Sequence, residues 1–269
     1  MDSEADNIVF LMSESYGEDI SSLDPFFVNR VLESRAQTLQ LSNESYINLI
    51  QENREEVDIF LRLLNVNFSV FFRNTFTYSV LEHNVIPALF RSSTDREIRV
   101  WSAACSSGQE PYSIAILFDE LAKSSPRGRK YRIIASDKND SELESAGRAI
   151  YFPSSVDNVS LGRVKNYFTK HNDQYHLSSH IKESVDFSRF DLLDSEACCP
   201  PASIFGNFDL IICSNVLYYY KKEFRTIILD KIRRCMIPGG FLVTGEAERE
   251  FLLESGFYEF YTGSAIFKQ

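Results

Sequence analysis

The apolar positions of this chain change their period once. Before about residue 95 nothing alternates as a strand does, and there is no glycine between Gly17 and Gly108. From Pro25 the pattern is helical: Phe27, Val31 and Leu32 share a face with Leu39. Ser42 caps a segment carrying Tyr46, Leu49 and Ile50, and Val57, Phe60, Leu61 and Leu64 fall at the spacing of an amphipathic helix. The first twenty residues are acidic and predict no element. From residue 97 short β-branched runs alternate with helical segments, the signature of a doubly wound parallel α/β sheet. Glu97–Trp101, Tyr131–Ser136, Val185–Phe187, Asp209–Cys213 and Phe241–Thr244 read as strands. Ile114, Leu117, Phe118 and Leu121 mark one intervening helix, Ser141–Ala149 a second, and Phe224, Ile227, Ile228 and Ile232 a third that Pro238-Gly239-Gly240 stops. Asp209–Cys213 is almost continuously apolar, as a strand buried on both faces must be. Residues 160–187 are irregular, with Gln174–Leu177 expected to pair with His180–Lys182 as a small hairpin. Leu252–Gly256 ends the chain's helices, and Phe257–Tyr261 with Ala265–Lys268 predicts a terminal hairpin turning at Thr262-Gly263.

This division gives an N-terminal helical domain over 1–69 and an α/β domain over 70–269, sizes that 269 residues accommodate. Charge sharpens the contrast. Residues 1–66 carry 13 Asp/Glu against 4 Lys/Arg, nearly all of the net −10 of the chain. Such a balance argues against nonspecific binding to nucleic acid. No basic leader and no apolar run near ~20 residues is present, so neither a secretory signal nor membrane insertion is expected. The five cysteines (Cys105, Cys198, Cys199, Cys213, Cys235) are odd in number and lack metal-ligand spacing, which suits reduced thiols in a cytoplasmic protein. Three of the four histidines (His171, His176, His180) cluster in sequence, but no carboxylate or thiolate joins them, and no metal is expected. A monomer is expected.

The chemistry gathers at the carboxyl ends of the predicted strands, where open α/β sheets bind ligands. Trp101-Ser-Ala-Ala-Cys-Ser-Ser-Gly-Gln-Glu-Pro-Tyr112 joins the first strand to its helix through small residues, including Ala104 and Gly108. It closes with Glu110, and Pro111 stands at a plausible first helical position. A tight structural turn and a nucleotide-type cofactor site both fit it. Asp137 ends the second strand, where a carboxylate accepts both hydrogen bonds of a ribose diol; capping the next helix is the alternative. Its distance from Gly108 exceeds the usual ~20 residues, and the segment Ser124–Lys130 absorbs the excess. Ser214, Asn215 and Tyr218–Tyr220 follow the central strand into the same crevice. Arg73 directly follows Phe71 and Phe72, so it is either an ordinary surface arginine or a bidentate donor aimed into a cleft by its anchored neighbours.

Together these segments resemble the chemotaxis-receptor methyltransferases, the CheR family. The resemblance rests on Asn67-Phe-Ser-Val-Phe-Phe-Arg73, the 101–113 turn, Ala135-Ser-Asp137, Phe208-Asp-Leu-Ile-Ile-Cys-Ser-Asn-Val-Leu-Tyr-Tyr219 and Pro238-Gly-Gly-Phe-Leu-Val-Thr-Gly245, in the family's order. It implies a class I S-adenosylmethionine-dependent methyltransferase sheet, Rossmann-like, with a small β-subdomain inserted within 160–187 and a small all-α domain before it. The cofactor is then S-adenosylmethionine, leaving as S-adenosylhomocysteine. By motif position it would meet Asn67, Ser69, Arg73, Ala104, Gly108, Glu110, Asp137, Asp191, Leu192, Ser214 and Asn215, with Arg73 and Tyr219 nearest the methyl group. Ser69 stands where the family usually has threonine and Gln109 where a first glutamate is usual. Ser214 replaces a common arginine and Asp191 a common asparagine, so a different adenine end of the pocket is expected.

The implied reaction is methyl esterification of glutamate side chains on an acidic segment of a protein, such as the cytoplasmic helices of a chemoreceptor. A glutamate carboxylate is ionised at neutral pH and needs no general base, only in-line placement near the methyl carbon. The family's basic docking face is reduced here to Arg30 and Arg35 on one helix. The 160–187 segment is short, so no tether to a receptor's C-terminal peptide is expected. A small-molecule methyltransferase would account for the sheet alone, and a non-catalytic S-adenosylmethionine-binding module for the sheet and its departures.

Overall fold

The computed structural model describes residues 4–92, 96–124, 130–203 and 206–269. Contacts gather the chain into two compact units, one of Met1–Val66 with Tyr218–Arg225, the other of Asn67–Leu217 with Thr226–Gln269.

The first unit is helical: α1 (Glu4–Leu11), α2 (Pro25–Thr38), α3 (Asn43–Glu52) and α4 (Arg54–Leu64). Side chains of Asp24, Ser42 and Asn53 accept the first free backbone N–H groups of α2, α3 and α4, and Pro25 opens α2 where no N–H is needed. Ile8, Leu32, Tyr46, Ile50, Val57 and Phe60 are fully buried between them. Helix α1 was not legible because its buried residues, Ala5, Ile8 and Leu11, are few and sit among acidic neighbours. On α2 the buried face is Val28, Leu32 and Ala36 rather than Phe27, Val31 and Leu39. Phe27 and Val31 instead border an open cavity of about 620 Å³, shared with Arg30, Leu63, Tyr218 and Tyr219. Arg35 also departs from expectation. It turns inward and clasps Glu56 through Nε (2.7 Å) and Nη2 (3.0 Å), while the Tyr46 hydroxyl donates to the same carboxylate at 3.0 Å. Arg35 is therefore a structural ion pair, and Arg30 alone of the two is exposed.

The second unit opens with α5 (Thr75–Val80) and α6 (Ile86–Arg91), so the segment after Arg73 is helical. Then come β1 (Ile98–Ala103), α7 (Gln109–Ser124), β2 (Tyr131–Asp137), α8 (Asp140–Arg148), β3 (Ile150–Tyr151), α9 (Leu161–Tyr167), β4 (Phe168–His171), β5 (Gln174–Leu177), α10 (Ser179–Lys182), β6 (Val185–Arg189) and β7 (Phe208–Ile212). Helix α11 (Lys222–Cys235) starts in the first unit and ends in the second, followed by β8 (Met236–Val243), α12 (Arg249–Glu254), β9 (Tyr258–Glu259) and β10 (Ile266–Lys268).

Seven strands form one sheet in the order β6-β2-β1-β7-β8-β10-β9, parallel from β6 to β8 and antiparallel at β10 and β9. Strand order reverses between β1 and β7, the topological switch at which such sheets open a crevice beyond their carboxyl ends. Every residue of β7 is buried, as its apolar run requires. β8 begins earlier than expected: Pro238-Gly239-Gly240 lies inside it, and the pairing with β7 slips between Phe208 and Leu210. The proline-glycine run is thus absorbed as a bulge in the strand.

A separate three-stranded sheet, β3-β5-β4, packs on the same unit. Here the expected hairpin is wrong in register. β5 pairs with β4, Phe168↔Leu177 to His171↔Gln174, whereas His180–Lys182 lies in α10. The turn is Asn172-Asp173, with Asn172 left-handed at φ 52°. The spacer between α7 and β2 falls largely on residues 125–129, outside the described residues. Among the described residues no helix is long and apolar enough to cross a membrane.

Candidate active site

The turn from β1 to α7 departs from ordinary backbone at three of five residues: Ala104 (φ 58°), Ser106 (φ 49°) and Gly108 (φ 91°) are left-handed. Two of them are not glycine, so surrounding bonds must hold them there. The Cys105 N–H donates to the Ser136 carbonyl at 2.9 Å, and the Ser106 N–H donates to Asp137 Oδ2 at 2.9 Å. Tyr151 on β3 donates its hydroxyl to the Ser107 carbonyl at 2.9 Å. Gly108 has a second reason to be glycine. A Cβ there would stand 2.9 Å from Ala146 Cβ and 3.2 Å from Ala146 Cα, so α7 and α8 meet without room for a side chain.

Asp137 is not the cap of α8, which is Asn139. One of its oxygens holds Ser106, and the other accepts the Asn139 N–H at 3.0 Å. The carboxylate is half-exposed at the strand end, with lone pairs left for a hydroxyl pair. Its carbonyl accepts the Phe190 N–H at 3.0 Å, which brings the segment after β6 to the same edge. There Leu192 is buried, and Asp191 is exposed with Oδ1 accepting the Leu193 N–H.

A glutamate that the sequence did not single out links the 67–73 segment to this turn. Glu142, early in α8, accepts Asn67 Nδ2 at 2.9 Å and Ser106 Oγ at 3.0 Å. Phe71 and Phe72 are buried, and the Phe72 N–H donates to Ser113 Oγ on α7 at 3.1 Å, with Phe72 itself left-handed at φ 51°. Ser69 is half-buried between them and Asn67. Arg73 is exposed; its Nη1 donates to the Phe68 carbonyl at 3.1 Å and its guanidinium lies 5.3 Å over the Phe68 ring. Its charge also reaches Glu110, on which it acts as a weak lowering influence.

Glu110, on the first turn of α7, is the unusual acid of the site. Burial pushes its carboxyl up to about 7, against opposing hydrogen bonds from Ser102 and Ser214. The Ser102 hydroxyl donates to Oε1 at 2.6 Å. A second carboxylate, Glu248, is fully buried nearby and adds to the upward push on Glu110. Glu248 accepts four backbone N–H groups: Gly245 (2.7 Å), Asn215 (2.9 Å), Val216 (2.7 Å) and Leu217 (2.6 Å). It fastens the segment after β7, where Asn215 is left-handed at φ 62°. A Cβ on Gly245 would stand 2.6 Å from Asn215 Nδ2, so the glycine makes room for that side chain. The sequence shows Glu248 at the end of a strand but nothing of this role, which exists only once β7 and β8 are paired.

Asn67, Ser69, Arg73, Ala104, Gly108, Glu110, Asp137, Asp191, Leu192, Ser214 and Asn215 all belong to the second unit, most of them at the carboxyl ends of β1, β2, β6 and β7. Tyr219 is placed in the first unit, its ring 4.7 Å from Phe27 and its hydroxyl 2.8 Å from that of Tyr218. The donor set fits a cationic nucleoside. Asp137 offers lone pairs to a diol, and Glu110 is a half-buried carboxyl short of neutralising charge, which a bound cation would supply.

Comparison with known proteins points the same way. Residues 67–261 match the family described as CheR methyltransferase, SAM binding domain. A chemotaxis protein methyltransferase of Pseudomonas putida is 34% identical over 189 residues, 69% of this chain and 66% of that protein. One from Listeria innocua is 34% identical over 193 residues, 72% of this chain and 69% of its own length. One from Borreliella burgdorferi is 26% identical over 252 residues, 91% of this chain and 87% of the relative. The chain thus spans about two thirds of the length of the first two.

Proposed function

The chain belongs to the CheR methyltransferase family, with an S-adenosylmethionine-binding domain over residues 67–261, and from that premise we propose that it methylates glutamate side chains of a protein in chemotaxis-type signalling. The acceptor is an acidic segment, as on the cytoplasmic helices of a chemoreceptor. The observation that carries the acceptor's chemistry is Arg73: an exposed guanidinium on a segment anchored by two buried phenylalanines, close enough to Glu110 to influence it.

When bound, S-adenosylmethionine supplies an electrophilic methyl group on a sulfonium. The chain's residues then bind and orient. Asp137 holds hydroxyls at the end of β2, Glu110 gives the cofactor's positive charge a half-buried counter-ion, and the Asn215 segment, fastened by Glu248, closes the crevice wall. Arg73 orients the acceptor carboxylate by charge-assisted hydrogen bonds. Transfer cancels the carboxylate's charge, so the ester product loses its attraction to Arg73 and leaves. For Tyr219 the motif position is the sole support for a role in the transfer.

The test uses S-adenosylmethionine labelled in the methyl group and candidate acceptor proteins. Glutamyl esters release labelled methanol in mild base, whereas N-methyl groups do not. Arg73→Ala should lower turnover at least about a hundredfold, the scale of two charged hydrogen bonds, while most cofactor affinity remains. Label confined to the low-mass fraction, or base-stable label on protein, would overturn the assignment; unchanged turnover would remove Arg73 from it.

A further inference from the structure

Three thiols, two adjacent in sequence and the third 36 residues further on, meet in the second unit, where β7 and β8 begin rather than where the cofactor crevice opens. Cys235 ends α11 directly before β8, and Cys198 and Cys199 lie on the segment that leads to Gly206 and β7. Cys235 Sγ is 3.1 Å from Cys199 Sγ and 3.6 Å from Cys198 Sγ, and all three sulfurs lie within 4.8 Å of one another. Their exposure is graded: Cys198 is exposed, Cys199 half-buried and Cys235 buried. The Cys235 thiol also reaches the Cys198 carbonyl at 3.0 Å, which holds the pair together.

We propose that Cys199 and Cys235 are a hydroperoxide-oxidisable dithiol, with Cys198 as the exposed thiol through which reductants reach it. The sulfurs need to close by only about 1 Å to reach the ~2.05 Å of a disulfide. The surroundings favour thiolate over a bound cation. Arg99 and Lys231 both act on Cys199, and Arg99 is fixed there by bonds to the Gly206 carbonyl and Ser203 Oγ. The hydrogen bond from Cys235, with lesser help from Cys198 and those two cations, brings Cys199 down to about 7, and burial works against them. Cys235 is pushed up in turn, chiefly by the same hydrogen bond, so the pair has one nucleophile and one proton-bearing resolver. The Cys199 thiolate attacks a peroxide oxygen. The O–O bond breaks, hydroxide leaves, and Cys199 becomes a sulfenic acid. Cys235 sulfur then attacks Cys199 sulfur, the S–S bond forms, the S–O bond breaks, and water leaves with the Cys235 proton. The product ties the 191–203 segment, which begins with Asp191 and Leu192, to the end of α11.

The experiment treats reduced, desalted, full-length protein with a slight excess of hydrogen peroxide, then maps peptides without reductant. A Cys199–Cys235 linked peptide is expected, with a mass lower by two hydrogens and full reversal by dithiothreitol. Cys105 and Cys213, both buried, should stay reduced. Cys198→Ser should still form the bond. Cys235→Ser should stop at a Cys199 sulfenic acid trapped by a dimedone-type reagent. Folding of each variant is checked by S-adenosylmethionine binding in reductant, and the wild-type peptide map decides the matter should a variant misfold. Three thiols that stay alkylatable after peroxide, a bond joining Cys198 to Cys199 instead, or a tightly held zinc ion protecting all three would each overturn the proposal.

Discussion

Asp137 Oδ2 accepts the backbone N–H of Ser106 at 2.9 Å, so the acid at the end of β2 fixes the left-handed turn at the end of β1. Ligand recognition and turn geometry are therefore coupled at one side chain. Replacing Asp137 with alanine frees the Ser106 and Asn139 N–H groups and removes the acceptors for a ribose diol. We expect S-adenosylmethionine affinity to fall at least tenfold and stability to fall by about 1–3 kcal/mol, the cost of unmet, half-buried donors. Asp137→Asn keeps one acceptor oxygen but turns an NH2 group toward one of the two N–H donors, so it should fall between. Calorimetric titration and urea unfolding separate the two losses. Unchanged affinity beside lowered stability would leave Asp137 as a turn residue only.

Glu110 makes binding depend on pH. Its carboxyl is raised from 4.5 to about 7 by burial, so the folded protein takes up a proton more readily than the unfolded chain. Its contribution to stability is present in full below about 4.5 and is lost as pH rises through about 7. Cofactor affinity runs the other way, because a cationic ligand prefers the ionised carboxylate. The S-adenosylmethionine Kd should weaken by up to tenfold per unit as pH falls below about 7, and level off above it. Glu110→Gln keeps an oxygen for the Ser102 hydroxyl, lowers the affinity at high pH and flattens both profiles. Equilibrium dialysis across about pH 5.5 to 8.5 checks this; a flat wild-type profile would show that Glu110 is not the counter-ion.

What the sequence made legible follows from what fixes each feature. β1, β2 and β7 are set by their own apolar runs, and Asp137, Ser214 and Asn215 by standing at strand ends, so periodicity and topology suffice to find them. Gly108 is visible as a glycine in a tight turn. Its contact with Ala146, however, is a matter of how α7 meets α8, which no local pattern encodes. The hairpin register failed because His180–Lys182 has strand-like neighbours, while the stronger signal, Asn172-Asp173 between two polar-apolar runs, is the turn the chain uses. Arg35 on α2 reads as a surface charge until Glu56 on α4 packs against it. Glu142, Glu248 and Cys235 share one trait: each acts on residues more than 30 positions away, or through backbone N–H groups that leave no mark in sequence.

Glu248 offers the sharpest test of that hidden layer. Its two oxygens satisfy the N–H groups of Gly245, Asn215, Val216 and Leu217, all at or near the crevice wall; Gly245 and Leu217 are buried, Asn215 and Val216 half-buried. Burial raises its carboxyl while those four donors pull it back down, so the anion is tolerated only because the segment is wrapped around it. Glu248→Gln keeps the shape but offers one accepting oxygen, and its NH2 group faces two donors. With two donors unmet, one on a buried and one on a half-buried residue, at about 1–3 kcal/mol each, we expect a loss of about 2–6 kcal/mol in urea unfolding, and more for Glu248→Ala. Asn215, no longer held in its left-handed conformation, should relax, and cofactor affinity should drop with it. Gly245→Ala presses on Asn215 from the other side, since its Cβ would stand 2.6 Å from Nδ2 and 3.0 Å from Glu248 Oε2, and should reproduce the affinity loss while keeping the Glu248 carboxylate itself. If Gly245→Ala binds S-adenosylmethionine as well as wild type, Asn215 does not contact the cofactor, and Glu248 serves the fold rather than the site.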